Sequence, residues 1–177
     1  MPESRFEELI LPHLDAAYSL ARWLARDGDD AEDVVQDACV RAIKYLDSLR
    51  GSEGRVWFLA IVRRAFYDWC ERNRPAEILR NATEALDAAV DPAIGPERTL
   101  LRDADSLALT DALAALPLPY REALVLRELQ ELSYKEISRI TDVPMGTVMS
   151  RIARARSLLQ RSPLLQSMRD PLPRSSP

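Results

Sequence analysis

The sequence predicts an all-α protein: two small helical domains joined by a flexible linker, the second containing a helix-turn-helix. The chain of 177 residues has only five glycines, and hydrophobic side chains recur at helical spacing along most of it. Between residues 75 and 105 this pattern weakens, Pro92, Gly95 and Pro96 interrupt it, and acidic residues outnumber basic ones. We therefore predict domains at residues 1–74 and 106–162, a linker at 75–105 and a disordered tail at 163–177.

Composition narrows the classes of function. The chain is 47% hydrophobic and 29% charged, as expected for a globular protein. It shows no apolar run of membrane-spanning length and no signal peptide, so we expect a cytoplasmic protein without a membrane span. Cys39 and Cys70 lie in apolar helical patterns and are expected in the core, with a disulfide between them as the alternative. His13 is the only histidine, which leaves little material for a metal site or a catalytic triad, and we expect no cofactor.

The first domain begins with an amphipathic segment, Ser4 to Ala25, in which Pro12 is expected to kink the helix or to start a new one. A second helix is predicted from Ala31 to Leu46, capped by Asp30 with Asp33 at the capping-box position. Its inward stripe consists of Val35, Ala38, Cys39, Ala42 and Leu46.

The outward face of this second helix mixes acidic, amide, apolar and basic side chains over several turns. Such a face suits docking on another protein, but it also fits a solvated helix stabilised by pairs such as Asp37–Arg41, four residues apart. Both interpretations stay open on this segment alone. The face consists of Asp33, Gln36, Asp37, Val40, Arg41 and Lys44.

A third helix, Val56 to Arg74, follows a loop with two glycines and two arginines, Leu49 to Arg55. Basic side chains are interleaved with aromatic ones here, a composition typical of proteins that bind single-stranded nucleic acid. The alternative is a set of core aromatic residues beside a solvated basic face. The side chains left for the surface are Arg55, Arg63, Arg64, Tyr67, Arg72 and Arg74.

The second domain is predicted to begin with a helix capped by Ser106 and to continue with a helix from Tyr120 to Gln130. The stretch Leu132 to Gln160 then shows two helices joined by a tight turn. Ser133 and Glu136 have the spacing of a capping box at the start of the first of these helices. The apolar residues Leu132 and Ile137 are spaced as the hydrophobic staple that accompanies such a cap.

The last predicted helix begins after Pro144 and presents two distinct faces. Net charge is −4 over the whole chain, yet residues 143–169 contain five arginines and no acidic residue. A helix-turn-helix contacts a DNA major groove with such a basic face; the alternative is a helical hairpin with a solvated charged face. The inward positions are Val148, Ile152, Ala155 and Leu159. The basic face consists of Thr147, Ser150, Arg151 and Arg154.

Three stretches carry motifs that occur together in one family. Residues 30–37, Asp-Ala-Glu-Asp-Val-Val-Gln-Asp, are similar to a polymerase-binding motif, and residues 57–68 to a W-L-x-x-I-A-R-N-x-x-x-D segment. Residues 116–122, 132–137 and 144–156 are similar to a C-terminal DNA-binding domain. Each motif alone is moderately specific, but their order is highly specific. From about Phe6 to Gln160 the chain thus resembles the extracytoplasmic-function (ECF) class of bacterial RNA polymerase sigma factors.

The resemblance implies a non-enzymatic transcription initiation factor whose partners are the RNA polymerase core (β′ and β subunits), promoter DNA and an anti-sigma factor. Contacts to polymerase would come from Asp33, Gln36, Asp37, Val40, Arg41 and Lys44. Contacts to the −10 promoter element would come from Arg50, Arg55, Arg63, Arg64, Tyr67 and Arg72. Contacts to the −35 element would come from Thr147, Met149, Ser150, Arg151, Arg154 and Arg156.

Two positions depart from the family pattern, and two other functions compete. Arg64 stands where the family often has Asn, and Met149 where Lys is frequent, which implies an altered promoter preference. A sigma-like decoy that sequesters an anti-sigma factor without binding promoters is the main alternative. Such a decoy would not need a basic DNA-binding face, whereas this chain has one. A helical-bundle enzyme would need carboxylates and histidines at metal spacing, and His13 stands alone.

Overall fold

The computed structural model describes residues 2–76 and 107–169. Within these ranges the chain is helical and contains no β-strand, which confirms the all-α prediction. The α-helices are α1 (Pro2–Leu9), α2 (Leu14–Ala25), α3 (Gly28–Tyr45), α4 (Gly54–Asn73), α5 (Leu107–Ala114), α6 (Leu118–Glu128), α7 (Tyr134–Thr141), α8 (Met145–Gln160) and α9 (Pro163–Arg169).

Pro12 divides the first amphipathic segment, as its sequence predicts. Helix α1 ends at Leu9, a short 3-10 turn spans Leu11–His13, and α2 begins at Leu14. Proline has no amide hydrogen and is tolerated at the start of a helical turn, which is where this one lies. The break lets α1 fold back so that its end meets the start of α4, where Gly54 faces Leu9.

Helix α3 starts earlier than predicted, and Asp27 rather than Asp30 is its cap. The Asp27 carboxylate accepts hydrogen bonds from the amides of Asp29 (2.9 Å) and Asp30 (3.1 Å). Arg26 ends α2 in the left-handed conformation (φ 64°), and the extended backbone of Asp27 then opens α3. Asp30 instead forms an ion pair with Arg74 at the end of α4 (2.8 Å), so it fastens two helices together.

Replacing Asp27 with alanine should lower the free energy of unfolding by about 1 kcal/mol, because two opening amides of α3 lose their acceptor. For a chain of this size the melting temperature should fall by about 2–4 °C. Thermal unfolding followed by circular dichroism measures the change. Asp27→Asn is the matched control, since its side-chain oxygen still caps the helix. Equal losses in both variants would contradict the capping role.

The helix-turn-helix of the second domain forms where it is predicted. The Glu136 amide donates to Ser133 Oγ (3.2 Å), and the Ser133 amide donates to a Glu136 carboxylate oxygen (2.8 Å), which completes the capping box. The staple residues Leu132 and Ile137 are both buried. Asp142 ends α7 in the left-handed conformation (φ 55°). The inward row of α8 is buried as predicted: Val148, Ile152, Ala155 and Leu159.

The two halves of the chain pack against each other and share one continuous cluster of buried apolar side chains. Helix α4 of the first half contacts α7 of the second, and α2 contacts α6. The sequence predicts two domains on a linker and gives no sign of this contact. Its consequence is that several polar side chains predicted at the surface lie at a junction between the halves.

The prediction of a disordered tail is wrong for residues 163–169, which form α9. The Ser162 carbonyl accepts the amides of Leu165 and Gln166 (both 3.0 Å), and Pro163 opens the helix at a position that needs no amide hydrogen. Leu165 packs against the core cluster and so attaches α9 to the rest of the chain. The prolines of this segment had led to the prediction of disorder. Residues 170–177, the linker residues 77–105 and the predicted cap Ser106 lie outside the described ranges.

Candidate nucleic-acid and protein interfaces

The outward face of α3 combines charge with exposed apolar surface. Asp33 and Gln36 are exposed, and Val40 and Ile43 are 65% and 59% exposed. Tyr45 is also exposed. Contiguous apolar side chains at a surface mark sites of interaction with other molecules. Ile43 and Tyr45 were missed from the sequence, although Ile43 lies three residues after Val40, on the same side of the helix.

Arg41 joins this face to α4 and is not a free cation. Its guanidinium pairs with Asp37 (2.7 Å), the predicted intrahelical pair, and with Asp68 of α4 (2.5 Å). The hydrogen bonds that Arg41 donates, first to Asp68 and then to Asp37, raise the pKa of Arg41 despite its partial burial. Lys44 extends over the Tyr45 ring, 5.3 Å from its centroid. The face therefore combines a fixed charged pair with exposed apolar residues beside it.

A cleft of about 700 Å³ opens between α3 and α4, beside that face. Lys44 and Tyr45 line it from α3, and Trp57, Ile61 and Arg64 line it from α4. Arg64 is exposed and forms no ion pair with the part of the chain that the structure describes. Aromatic side chains beside exposed cations suit an unstacked base and its phosphate.

The six side chains predicted to contact the −10 element divide into two groups of three. Arg50, Arg64 and Arg72 are exposed. The other three, Arg55, Arg63 and Tyr67, point to the second half of the chain instead.

Arg63 and Tyr67 both bond to Glu122 of α6. Arg63 Nε donates to the Glu122 carboxylate (2.5 Å), and the Tyr67 hydroxyl donates to its other oxygen (3.3 Å). Burial alone would lower the pKa of Arg63, but the charge of Glu122 and the Tyr67 hydroxyl raise it above its ordinary value. Burial, followed by the charge of Glu122, raises the pKa of Tyr67. Both donors therefore keep their protons at physiological pH.

The exposed face of α8 carries most of the side chains predicted for the −35 element. Arg154 is exposed and has no ion-pair partner within residues 2–76 and 107–169. Arg151 is half-buried, and Met149 is 39% exposed. Ser150 Oγ donates to the Thr147 carbonyl (3.0 Å) within the helix. The exposed Ser150 oxygen can therefore still accept a hydrogen bond from a partner. The helix thus presents two cations and a hydroxyl on one side, and Met149, two residues before Arg151, is exposed on another side.

Arg156 does not belong to that face. Its guanidinium pairs with Glu128 at the end of α6 (2.5 Å), and the two side chains are only 15% and 11% exposed. The sequence places Arg156 near the basic face because it follows Arg154 by two residues, but a two-residue step on a helix turns the side chain about 200° away. In this structure Arg156 fastens α8 to α6, and the −35 contact predicted for it stays a prediction.

Other kinds of site are not formed by the described residues. No three histidine, cysteine or acidic side chains among them converge as metal ligands would. None of the described helices combines the length and apolarity that crossing a membrane demands. Neither Cys39 nor Cys70 forms a disulfide, so the alternative bond between them is absent. Cys70 is buried as predicted, and partial burial raises the pKa of Cys39.

Each half of the chain matches a known protein family. The Sigma-70 region 2 family matches residues 9–75, and the Sigma-70, region 4 family matches residues 106–159. The chain is 31% identical to the RNA polymerase sigma-H factor of Pseudomonas aeruginosa over 181 aligned positions, covering 91% of this chain and 88% of the relative. It is 33% identical to the ECF RNA polymerase sigma-E factor of Escherichia coli K12 over 164 positions, covering 89% and 85% of the two chains.

Solved structures agree in fold. The sigma factor RpoE of Bartonella quintana, in complex with the anti-sigma factor NepR, matches with a TM-score of 0.65 and 29% identity over 91% of this chain and 96% of that one. CnrH, in complex with the cytosolic domain of CnrY, matches with a TM-score of 0.62 and 26% identity over 92% and 88%. Because both region families and full-length relatives align over most of the chain, this protein belongs to the ECF class of the sigma-70 family, the factors that start bacterial transcription by promoter recognition.

Proposed function

We propose that this chain binds core RNA polymerase through the outward face of α3, contacts the −10 element with α4 and its preceding loop, and contacts the −35 element with α8. One observation carries the proposal: α8 is the second helix of a capped helix-turn-helix and exposes Arg154 beside Arg151. Such a helix enters a major groove, and arginine there recognises guanine or binds phosphate. A decoy that binds only an inhibitor has no use for this face.

The polymerase contact is supported by the apolar side chains that flank Arg41. Val40 and Ile43 lie exposed together beside the Asp37–Arg41 pair. Interface centres are enriched in apolar and arginine residues with a polar rim, and Asp33 and Gln36 supply that rim. The β′ subunit is the partner that we propose for this face, with β contacting other parts of the bound factor.

The −10 contact is supported by the cleft between α3 and α4. Removing a base from the stack costs a few kcal/mol of free energy. Stacking of that base on Trp57 and phosphate contacts from Arg50 and Arg64 would offset this cost. Arg64 stands where the family often has an amide. A guanidinium can donate two parallel hydrogen bonds to guanine, whereas an amide suits adenine, so the base preferred at this position should differ from that of relatives with Asn.

We also propose that an anti-sigma factor controls this chain in response to a stress or another signal. One of the solved structures described above is a complex of a sigma factor, RpoE, with an anti-sigma factor, NepR, and the other contains CnrH with the cytosolic domain of CnrY. An inhibitor would have to cover the α3 face, the α8 face or both. Synthesis and action in the cytoplasm follow from this proposal, since polymerase and promoter DNA are there.

Transcription with purified components tests the proposal. Core polymerase from the same organism, mixed with this chain and a library of genomic promoter fragments, should give transcripts whose 5′ ends share −10 and −35 elements. Val40→Glu should weaken polymerase binding about tenfold or more, because it buries a charge in the contact. Leu11→Glu is the control, an apolar residue 42% exposed on a different surface. Binding to polymerase without any transcript would contradict promoter recognition and favour the decoy.

A further inference from the structure

Two exposed methionines lie on one side of α8, about one helical turn apart. Met145 is 44% exposed and Met149 is 39% exposed. At about 100° per residue, a separation of four residues places the two side chains within about 40° of each other around the helix. Single exposed apolar residues are ordinary, whereas neighbouring ones mark a contact with another molecule. We call this pair the apolar flank of α8.

The other residues on the same side of the helix as Met149 are small. Gly146 precedes it by three positions and Ala153 follows it by four, so both are its neighbours on the helix surface. Nothing lies within 4 Å of a Cβ atom built on Gly146, and Ala153 is half-buried. The thioether of Met149 therefore projects beyond its neighbours, and a partner can approach the helix backbone closely beside it.

The apolar flank adjoins the basic face that is proposed to contact the −35 element. Around the helix, Ser150 lies about 100° and Arg154 about 140° from Met149, and all three side chains are exposed. An α-helix with its side chains is about 10–12 Å wide, and the major groove of DNA is about 12 Å wide. A helix in the groove therefore meets base edges with both flanks. Helix α8 would bring methionine on one flank and arginine on the other.

The chemistry of methionine limits what the apolar flank can recognise. A thioether is a flexible apolar group that accepts hydrogen bonds only weakly and donates none. The base edges in the major groove carry hydrogen-bonding groups, and their apolar group is the C5-methyl of thymine. Residues near the start of a recognition helix contact base edges, and Met145 and Met149 are the first and fifth residues of α8. Thymine is therefore the base that fits this flank.

We propose that Met149, with Met145 beside it, selects thymine in the −35 element through apolar contact with the thymine methyl group. This assignment rests on the proposed function, because it places α8 in the major groove of that element. The two methionines are about 6 Å apart along the helix axis, close to two base-pair steps of DNA, so the flank spans neighbouring base pairs. Lysine, which is frequent in the family at position 149, donates hydrogen bonds to guanine instead.

Deoxyuridine scanning tests the contact in the holoenzyme. A promoter found by the transcription assay described above is prepared with each thymine of its −35 element replaced in turn by deoxyuridine, which lacks only the C5-methyl group. Abortive initiation is measured for core polymerase bound to the wild-type chain, to Met149→Ala and to Met149→Leu. The matched control is Leu164→Ala, which truncates an apolar side chain of similar exposure (43%) on α9.

With the wild-type chain, deoxyuridine at one or two positions should reduce initiation about fourfold. This factor corresponds to about 0.8 kcal/mol for one buried methyl group. Met149→Ala should reduce initiation from the thymine promoter by a similar factor and should no longer respond to deoxyuridine at those positions. Met149→Leu keeps an apolar side chain of similar volume, so it should respond as the wild type does. Leu164→Ala should also keep the wild-type response.

Equal initiation from the thymine and deoxyuridine promoters by the wild-type holoenzyme overturns the contact, and so does a −35 element without a T·A pair. If Met149→Ala lowers initiation by the same factor on both promoters, Met149 contacts a protein surface rather than the methyl group, and the assignment fails. Each of these results leaves promoter recognition standing. Absence of transcripts from every promoter fragment instead overturns the proposed function, and the thymine contact with it.

Discussion

Alanine at position 54 is expected to lower the melting temperature of this chain by roughly 6–12 °C, which corresponds to a loss of about 3 kcal/mol. Gly54 is buried at the start of α4. A Cβ atom there would overlap the carbonyl oxygen of Leu9 and lie 3.1 Å from its carbonyl carbon. These are backbone atoms and cannot rotate away, so either α1 or α4 has to shift. Thermal unfolding followed by circular dichroism measures the effect.

A second helical glycine, Gly146, supplies the control. Nothing lies within 4 Å of a Cβ atom built on Gly146, near the start of α8. Alanine there restricts the unfolded chain and favours the helix, so Gly146→Ala should raise the free energy of unfolding by about 0.4–1 kcal/mol. The change in the free energy of unfolding should thus have opposite signs at the two positions. This difference distinguishes the close backbone contact at Gly54 from the general effect of alanine on helix stability. A Gly54→Ala chain as stable as the wild type would contradict the close packing of α1 on α4.

Removing Arg151 and Arg154 together should reduce initiation from a promoter that depends on its −35 element by roughly 30-fold or more. A good bidentate contact to a base contributes about 1–3 kcal/mol, and contacts to phosphate contribute at all sequences. Binding to core polymerase should not change, because the proposed polymerase face lies on α3. Abortive initiation measures the first quantity, and a polymerase-binding assay measures the second.

Arg161→Ala is the matched control for this pair. It removes a positive charge just after α8, at an exposed position seven residues beyond Arg154, about 10 Å along the helix axis. It should lower initiation by no more than about twofold, through the general electrostatic attraction. If the double variant lost polymerase binding and initiation equally, α8 would be a structural element rather than a DNA contact.

The sequence predicted those features correctly whose interacting residues are only a few positions apart. The Ser133 and Glu136 capping box involves residues three apart, and the inward row of α8 follows a fixed helical period, so both were predicted correctly. The cap of α3 was misplaced because Asp27 and Asp30 are equally good capping residues, and the left-handed turn at Arg26 decides between them. A sequence pattern does not show which residue adopts that backbone conformation.

The junction between the halves could not be predicted for a different reason. Glu122 and Gln130 look like ordinary polar positions on an amphipathic helix. Their burial depends on partners 55 or more residues away in sequence, such as Arg63 and Arg55. Periodicity reports which side of a helix is apolar, and it carries no information about a second helix that covers the polar side. The ion pair of Arg156 could not be predicted for the same reason, because its carboxylate partner, Glu128, lies on another helix.

The bridge from Arg41 to Asp37 and Asp68 has a thermodynamic consequence. The same guanidinium belongs to the α3 face proposed to bind polymerase and to the lining of the cleft proposed to bind the −10 strand. A partner that changes its pairing on one side changes the charge and shape offered on the other. Coupling between two binding sites is reciprocal, so whatever factor polymerase adds to strand affinity, the strand adds to polymerase affinity. Promoter melting and retention of the factor on polymerase would then strengthen each other through one side chain.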